Sequence, residues 1–132
     1  IMAFWGAPLG DAAHAEHAVA CALDMADELL AFREELGAAG AAFDVGIGLH
    51  SGPAVVGLIG SDQRREYTSI GDTVNLASRI EGLTKDAKRR ILVSRETMER
   101  CGKAFDFVSC GSYKVKGRAQ EVELFEPRRK PS

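Results

Sequence analysis

The longest regular pattern of apolar and polar positions lies near the start of the chain. Between residues 12 and 39, apolar side chains recur at steps of three and four and form one stripe of a helix, while acidic residues lie mostly off it. The predicted stripe contains Ala18, Ala22, Met25, Leu29, Phe32 and Leu36. Gly37 and Gly40 are predicted to end the helix. The pattern therefore predicts a long helix that covers a sheet.

Shorter apolar stretches predict the strands of that sheet. Residues 1–5 are predicted to form a buried strand, and residues 43–50 and 54–59 two more, joined as a hairpin through the turn at Ser51-Gly52-Pro53. Residues 60–65 are polar and are predicted to form a loop or an arm. Further strands are predicted to end at Tyr67 and to cover 91–93, 105–110 and 122–125. Ser94 is predicted to cap a short helix that ends near residue 101.

This order of strands and helices predicts an α+β sandwich, with an antiparallel-rich sheet and covering helices. The chain has 132 residues and 45% hydrophobic residues, which suits one domain with its own core. We assign residues 1–126 to that domain and residues 127–132 to a short basic tail without regular structure. Because the chain starts on a strand without an initiator methionine, we expect it to lack the start of its domain.

Composition excludes several classes of protein. The net charge of −2 and the absence of a basic stripe with interleaved aromatics argue against nucleic-acid binding. No apolar run is long enough for a membrane span, and no signal peptide is recognisable. The three cysteines are widely spaced and form no CxxC pair, so neither a zinc site nor a disulfide framework is expected. We expect reduced, half-buried cysteines in a cytoplasmic protein.

The candidate chemistry is concentrated in one stretch, Tyr67-Thr68-Ser69-Ile70-Gly71-Asp72-Thr73-Val74-Asn75-Leu76-Ala77-Ser78-Arg79-Ile80-Glu81. It predicts a strand end, a glycine turn and a helix with Asp72 as its N-cap. Asn75 and Arg79 lie one turn apart on a face separate from the apolar arc. An amide and a guanidinium placed in this way can hold a sugar and a phosphate. For an isolated helix, a turn asparagine and a solvated arginine explain the same residues.

The whole stretch closely resembles the signature segment of the class III adenylyl and guanylyl cyclases, in which a strand-end Tyr leads into Gly-Asp-Thr-Val-Asn and Ala-Ser-Arg. The resemblance implies a ferredoxin-like catalytic domain whose active sites form between two such domains. It implies that Asn75 orients the ribose and that Arg79 stabilises the pentavalent phosphorus transition state. It also implies that Thr68, the residue after the tyrosine, helps to recognise the base.

Two lysines near the end of the chain are further candidates. Lys114 and Lys116 alternate with apolar residues, so in an extended segment both point to the same side. They would neutralise a triphosphate or simply line a solvated strand edge, and periodicity does not choose between the two lysines. The resemblance does, because the family's Val-Lys-Gly pattern falls on Val115-Lys116-Gly117 and its lysine contacts phosphate.

The resemblance implies conversion of ATP to 3′,5′-cyclic AMP and pyrophosphate in cyclic-nucleotide signalling. It also implies two divalent cations (Mg²⁺ or Mn²⁺), whose carboxylate ligands are expected upstream of Ile1. We therefore expect the chain to be inactive alone, and to act as a homodimer or as a heterodimer with another cyclase domain. Many bacterial adenylyl cyclases resemble this chain in having threonine at position 68, which favours ATP over GTP. The alternatives are a guanylyl cyclase and a non-catalytic, cyclase-like dimerisation or regulatory domain; a ferredoxin-like RNA-binding sheet is disfavoured.

Other motifs have simpler explanations. Gly46-Ile47-Gly48 is not followed by the helix that a dinucleotide-binding loop requires, so these glycines are predicted to relieve close packing at a strand. His14 and His17 have a spacing that suits a metal but no third ligand. His50 is interpreted as structural. No metal ligand is assigned within the chain.

Overall fold

Helices and strands are both distributed along the whole described chain in the computed structural model. In chain order they are α1 (His14–Leu36), a 3₁₀ segment (Gly37–Ala42), β1 (Ile47–Leu49), β2 (Val55–Ser61), β3 (Arg64–Ile70), α2 (Asp72–Gly82), α3 (Thr84–Ala87), β4 (Ile91–Ser94), α4 (Arg95–Cys101), β5 (Asp106–Tyr113) and β6 (Val122–Arg128). The structure describes residues 2–6, 10, 12–42, 45–52, 55–61, 64–115 and 120–130, with backbone alone for 41–42, 55–61 and 64–70. None of the helices it describes has both the length and the apolar character needed to cross a lipid bilayer.

The main sheet has four strands in the order β1-β4-β6-β5. β1 and β4 are parallel, with Ile47 opposite Ile91, and the other neighbouring pairs are antiparallel. β2 and β3 form a separate antiparallel ribbon. The predicted α+β fold with an antiparallel-rich sheet and covering helices is confirmed.

Helices cover both faces of the main sheet, and strand β4 shows why. Successive side chains of a strand point to opposite faces. Ile91 and Val93 pack in one cluster with residues of α1 and with Cys101 at the end of α4, whereas Leu92 packs with Leu76 and Ile80 of α2 in the other. Both faces of β4 are therefore buried, with α2 on the face opposite to α1 and α4.

Helix α1 begins two residues later and ends three residues earlier than predicted, with Gly37 at its C-terminus in the positive-φ region. Its buried residues belong to its first half and are Ala15, Ala18, Val19, Ala22 and Leu23. Met25 and Phe32, predicted to be core, are 49% and 46% exposed. The helical period marks the apolar face but not the part of it that other elements cover, and the buried residues of α1 stop at Leu23.

The strand predicted at residues 1–5 is not found. Residues 2–5 form no strand, and Met2 is exposed; Ile1 lies outside the described residues. A strand requires a neighbouring strand for its backbone hydrogen bonds, and in the described part of the chain no strand pairs with this segment. The apolar residues of this segment therefore do not form a strand that pairs with another strand of the described chain.

The hairpin predicted between residues 43–50 and 54–59 is also wrong. β1 is shorter than predicted and pairs with β4, more than forty residues later, while β2 pairs with β3 through its whole length. Alternation of side chains marks a strand but does not name its partner. The polar stretch predicted as a loop or arm is instead largely β-structure, since the β2–β3 ribbon runs to Ser61 and resumes at Arg64; residues 62–63 lie outside the described part.

The end of the chain is more ordered than predicted. β6 continues to Arg128, and Pro127, assigned to the basic tail, is buried in the sheet. Arg129 follows and donates to the carboxylates of Asp24 and Asp27 on α1. The first three residues of the predicted tail, 127–129, therefore join the sheet and α1.

Candidate active site on helix α2

The connection from β3 to α2 turns at a single glycine. Gly71 has φ +131°, in a region that side chains disfavour, and its carbonyl accepts the first helical hydrogen bond from the amide of Asn75 at 3.1 Å. The predicted N-cap is wrong: Gly71 occupies the cap position, and Asp72 is the first helical residue. Its carboxylate still lies in the first turn, where the helix dipole favours negative charge.

Helix α2 has one buried and one exposed face. Leu76 and Ile80 are fully buried against the sheet. Asn75 and Arg79 are exposed and lie one turn apart on the opposite side. The structure therefore brings two of the four predicted site residues together, where they can reach a ligand or a second molecule.

The other two predicted site residues are described in part or not at all. Thr68 lies in β3, where its backbone pairs with Gly57 of β2; its side chain is outside the described part. Lys116 lies outside the described residues. Val115, which precedes it, is buried in the same cluster as Leu76 and Ile80, whereas Lys114 is exposed. The strand β5 ends at Tyr113, so Lys114 and Val115 lie beyond the sheet.

Helix α2 and the start of α3 lie directly on the glycines of the segment around β1. A Cβ added at Gly48 would meet the backbone of α2, at 2.3 Å from the nitrogen of Glu81 and 2.7 Å from the carbonyl oxygen of Ala77. A Cβ added at Gly46 would meet the side chain of Thr84 at 2.0 Å. The prediction that these glycines relieve close packing is confirmed. Gly48 admits α2, the helix that carries Asn75 and Arg79, whereas Gly46 admits Thr84 of α3.

Hydrogen bonds fix the end of β1 to the junction of β4 and α4. The Nδ1 of His50 lies 2.7 Å from the Oγ of Ser94, and the hydroxyls of Ser51 and Thr97 are 2.9 Å apart. Ser94 also caps α4 as predicted, since its Oγ accepts from the amide of Thr97. Sequence analysis identified the cap and a structural role for His50 but missed this connection, because its partners are 44 and 46 residues apart.

In the described part of the chain, no three His, Cys, Asp or Glu side chains lie close enough to hold a metal ion. This includes His14, His17 and Asp72. The described residues therefore do not fit the two divalent cations that the resemblance implies, and Asn75 and Arg79 offer an amide and a cation, which suit a sugar and a phosphate.

The three cysteines are free thiols: Cys101 is buried, whereas Cys21 and Cys110 are half-buried. Burial, with a smaller contribution from the negative charge of Glu16, raises the pKa of Cys101 to about 11. We expect alkylation at pH 8 to modify Cys21 and Cys110 well before Cys101, because the thiolate is the reactive form. Peptide mapping after timed iodoacetamide treatment measures the order, with unfolded protein as the control in which all three should react alike. Early loss of the Cys101 thiol would contradict this packing.

Comparison with known proteins agrees with this arrangement. Residues 1–126 match the family described as the adenylate and guanylate cyclase catalytic domain. The chain is 41% identical over 127 residues to adenylate cyclase 1 of Rhizobium meliloti, a match that covers 96% of the chain and 19% of that relative. The chain thus spans about a fifth of that relative's length.

Solved structures share the fold. The adenylyl cyclase CyaB from P. aeruginosa superposes with a TM-score of 0.82 at 29% identity, covering 97% of this chain and 66% of that one. The guanylyl cyclase Cya2 gives a TM-score of 0.79 at 31% identity, covering 92% of this chain and 61% of that one. From its sequence match, its fold and its exposed Asn75–Arg79 pair, the chain belongs to the class III adenylyl and guanylyl cyclase catalytic-domain family.

Proposed function

We propose that this chain is the catalytic domain of an adenylyl cyclase that converts ATP to 3′,5′-cyclic AMP and pyrophosphate. The observation that carries the proposal is the pairing of Asn75 and Arg79 on the exposed face of α2, within a chain of the cyclase family. Relatives named adenylate cyclase, from Rhizobium meliloti and from Anabaena cylindrica, favour ATP as the substrate.

The proposed reaction is attack of the ribose 3′ oxygen on the α-phosphorus, with cleavage of the bond to the pyrophosphate oxygen. The guanidinium of Arg79 stabilises negative charge that grows on the phosphoryl oxygens in the transition state. The amide of Asn75 holds the ribose so that the 3′ oxygen approaches in line. Thr68 contacts the base through its hydroxyl, and Lys116 binds the outgoing phosphates.

Catalytic domains of this family generally use divalent metals, which activate the attacking oxygen and neutralise phosphate charge. We propose two such ions, Mg²⁺ or Mn²⁺, for this reaction. The described residues form no cluster that could hold them. Their ligands therefore belong to residues beyond those described.

The same geometry supports a dimer. Asn75 and Arg79 face outward from α2, so groups from a second surface are needed to enclose a nucleotide. We propose two-fold pairing with a second copy or with another cyclase domain, each contributing to a shared cleft. We place the protein in the cytoplasm, where ATP is available.

A guanylyl cyclase is the second candidate, because the solved guanylyl cyclase Cya2 shares the fold at 31% identity. Turnover of ATP and GTP by the intact protein, with Mn²⁺ or Mg²⁺ present, separates the two. We expect cyclic AMP to form with the higher kcat/KM. Preference for GTP would assign the guanylyl activity instead, and absence of both products would leave a non-catalytic cyclase-like domain.

Variants of Thr68 test whether its hydroxyl helps to distinguish adenine from guanine. Removing the hydroxyl in Thr68→Val should lower the ratio of ATP to GTP kcat/KM, because a site that hydrogen-bonds a base loses discrimination without its polar group. Thr68→Ser keeps the hydroxyl and is the matched control. An unchanged ratio in Thr68→Val would remove Thr68 from base recognition.

A further inference from the structure

Two consecutive residues directly after β1, His50 and Ser51, connect the sheet to α4. The imidazole of His50 is 8% exposed and makes its 2.7 Å contact with the Oγ of Ser94. Ser51 makes a parallel contact with Thr97, and the hydroxyls of Ser94 and Thr97 lie 3.3 Å apart. Both partners belong to the first turn of α4 or its cap. The carboxylate of Glu96, which is about half exposed, also lies 3.7 Å from the Nδ1 of His50. The end of β1 is therefore held to α4 by a group of largely buried polar contacts, and such networks rigidify a structure.

The same segment packs against the first turn of α2. A Cβ added at Gly52 would lie 2.8 Å from the Oγ1 of Thr73 and 3.7 Å from the Nε2 of His50. Gly52 thus lies between the imidazole and Thr73, with no room for a side chain. Thr73 is two residues before Asn75 in the first turn of α2. The position of that turn therefore depends on the position of the end of β1.

We propose that His50 is a positioning residue for the cyclisation reaction, an inference that rests on the function proposed above. Its hydrogen bond to Ser94 holds the end of β1, and the end of β1 holds the first turn of α2 and hence Asn75. A displacement of about 1 Å at a positioning group can lower a rate by about 10²-fold. A partial displacement of α2 therefore affects the chemical step before it affects folding.

The test compares two replacements of His50 in the intact protein. His50→Leu replaces the imidazole with an apolar side chain of similar size and removes the hydrogen bond. His50→Asn places an amide near the position of Nδ1. We expect kcat to fall by about 10-fold to 10²-fold in His50→Leu, with KM for ATP little changed, since the affected interactions develop in the transition state. We expect His50→Asn to recover most of the loss.

Ser94→Ala removes the same bond from the other side. If the two residues act through that bond, the double variant His50→Leu/Ser94→Ala should have a kcat no lower than the worse single variant. Cys101→Ala is the control for general destabilisation, because Cys101 is buried at the far end of α4 in the cluster with α1. Cys101→Ala should keep the wild-type kcat even where its melting temperature falls as much as that of His50→Leu.

Hydrogen exchange gives a readout that does not require activity. Amides in the first turn of α2 should exchange faster in His50→Leu than in wild type and at the wild-type rate in His50→Asn. Equal exchange there, equal kcat in the Leu and Asn variants, or a kcat loss in Cys101→Ala that matches its stability loss would each overturn the inference. An inactive wild type in which His50→Leu still loosens α2 would instead overturn the proposed function and leave the mechanical link between β1 and α2 supported.

Discussion

Arg79→Ala should lower the kcat of cyclisation by about 10²–10³-fold, equivalent to ~2.7–4 kcal/mol of lost transition-state stabilisation. The guanidinium is the cation on the exposed face of α2 that the proposed mechanism places against the α-phosphoryl oxygens. Charge on those oxygens grows only as the reaction proceeds, so the loss should fall on kcat and not on KM. Steady-state assays of cyclic AMP formation by the intact protein measure both constants.

Two control variants make the Arg79 result interpretable. Arg100→Ala removes an exposed arginine of α4, on the other face of the sheet, and should leave kcat unchanged. In the described part of the chain its guanidinium donates to a backbone carbonyl of its own helix. Arg79→Lys keeps the charge but loses the planar fork of donors, so it should recover only part of the activity. Turnover of Arg79→Ala near the wild-type rate would remove this residue from the mechanism.

The region of α2 was predictable from sequence because every local signal there agrees. A glycine turn, an acidic first turn and an apolar arc all indicate a helix at the same place. The structure confirms the buried arc through Leu76 and Ile80 and the exposed pair Asn75 and Arg79. Only the cap differed, since Gly71 rather than Asp72 occupies it. Local chemistry was enough here because helical hydrogen bonds are made within the segment itself.

Strand pairing was not predictable in the same way. The backbone bonds of a strand are made to a distant segment, and alternation of side chains says nothing about which one. β1 was given the wrong partner for this reason, and residues 1–5 were given a strand that has no partner among the described residues. The prediction that the whole apolar stripe of α1 is core was wrong for a related reason. The helical period identifies the apolar face but not how far along the helix other elements cover it.

The links that hold α2 in place were equally hidden. Sequence analysis predicted that Gly48 relieves close packing and that His50 is structural, but it named no neighbour for either. Gly48 contacts residues 77 and 81, and His50 contacts residue 94. Contacts at such separations appear only once the crossover from β1 to β4 places α2 on the sheet. The sequence thus indicated that Gly48 and His50 have structural roles, whereas only the structure showed which residues they contact.

Gly48→Ala should lower kcat by about 10²-fold while reducing stability by about 1–3 kcal/mol. The added methyl would lie 2.3 Å from the backbone nitrogen of Glu81 and 2.8 Å from its Cα, whereas non-bonded carbon contacts settle near 3.5–4.0 Å. Backbone cannot rotate away as a side chain can, so α2 must move outward by about 1 Å. That displacement carries Asn75 and Arg79 with it. Cyclic AMP assays and thermal unfolding of the same preparation measure the two effects.

Gly82→Ala is the matched control because it makes the same chemical change at the end of α2 itself. A Cβ there meets nothing within 4 Å, and alanine favours a helix over glycine by up to about 1 kcal/mol. We expect Gly82→Ala to keep full kcat with equal or slightly higher stability. If Gly48→Ala also kept its kcat, the depth of α2 on β1 would not control the reaction. If both variants lost activity alike, the reaction would be sensitive to any substitution in or near α2. The close contact at Gly48 would then not specifically position Asn75 and Arg79.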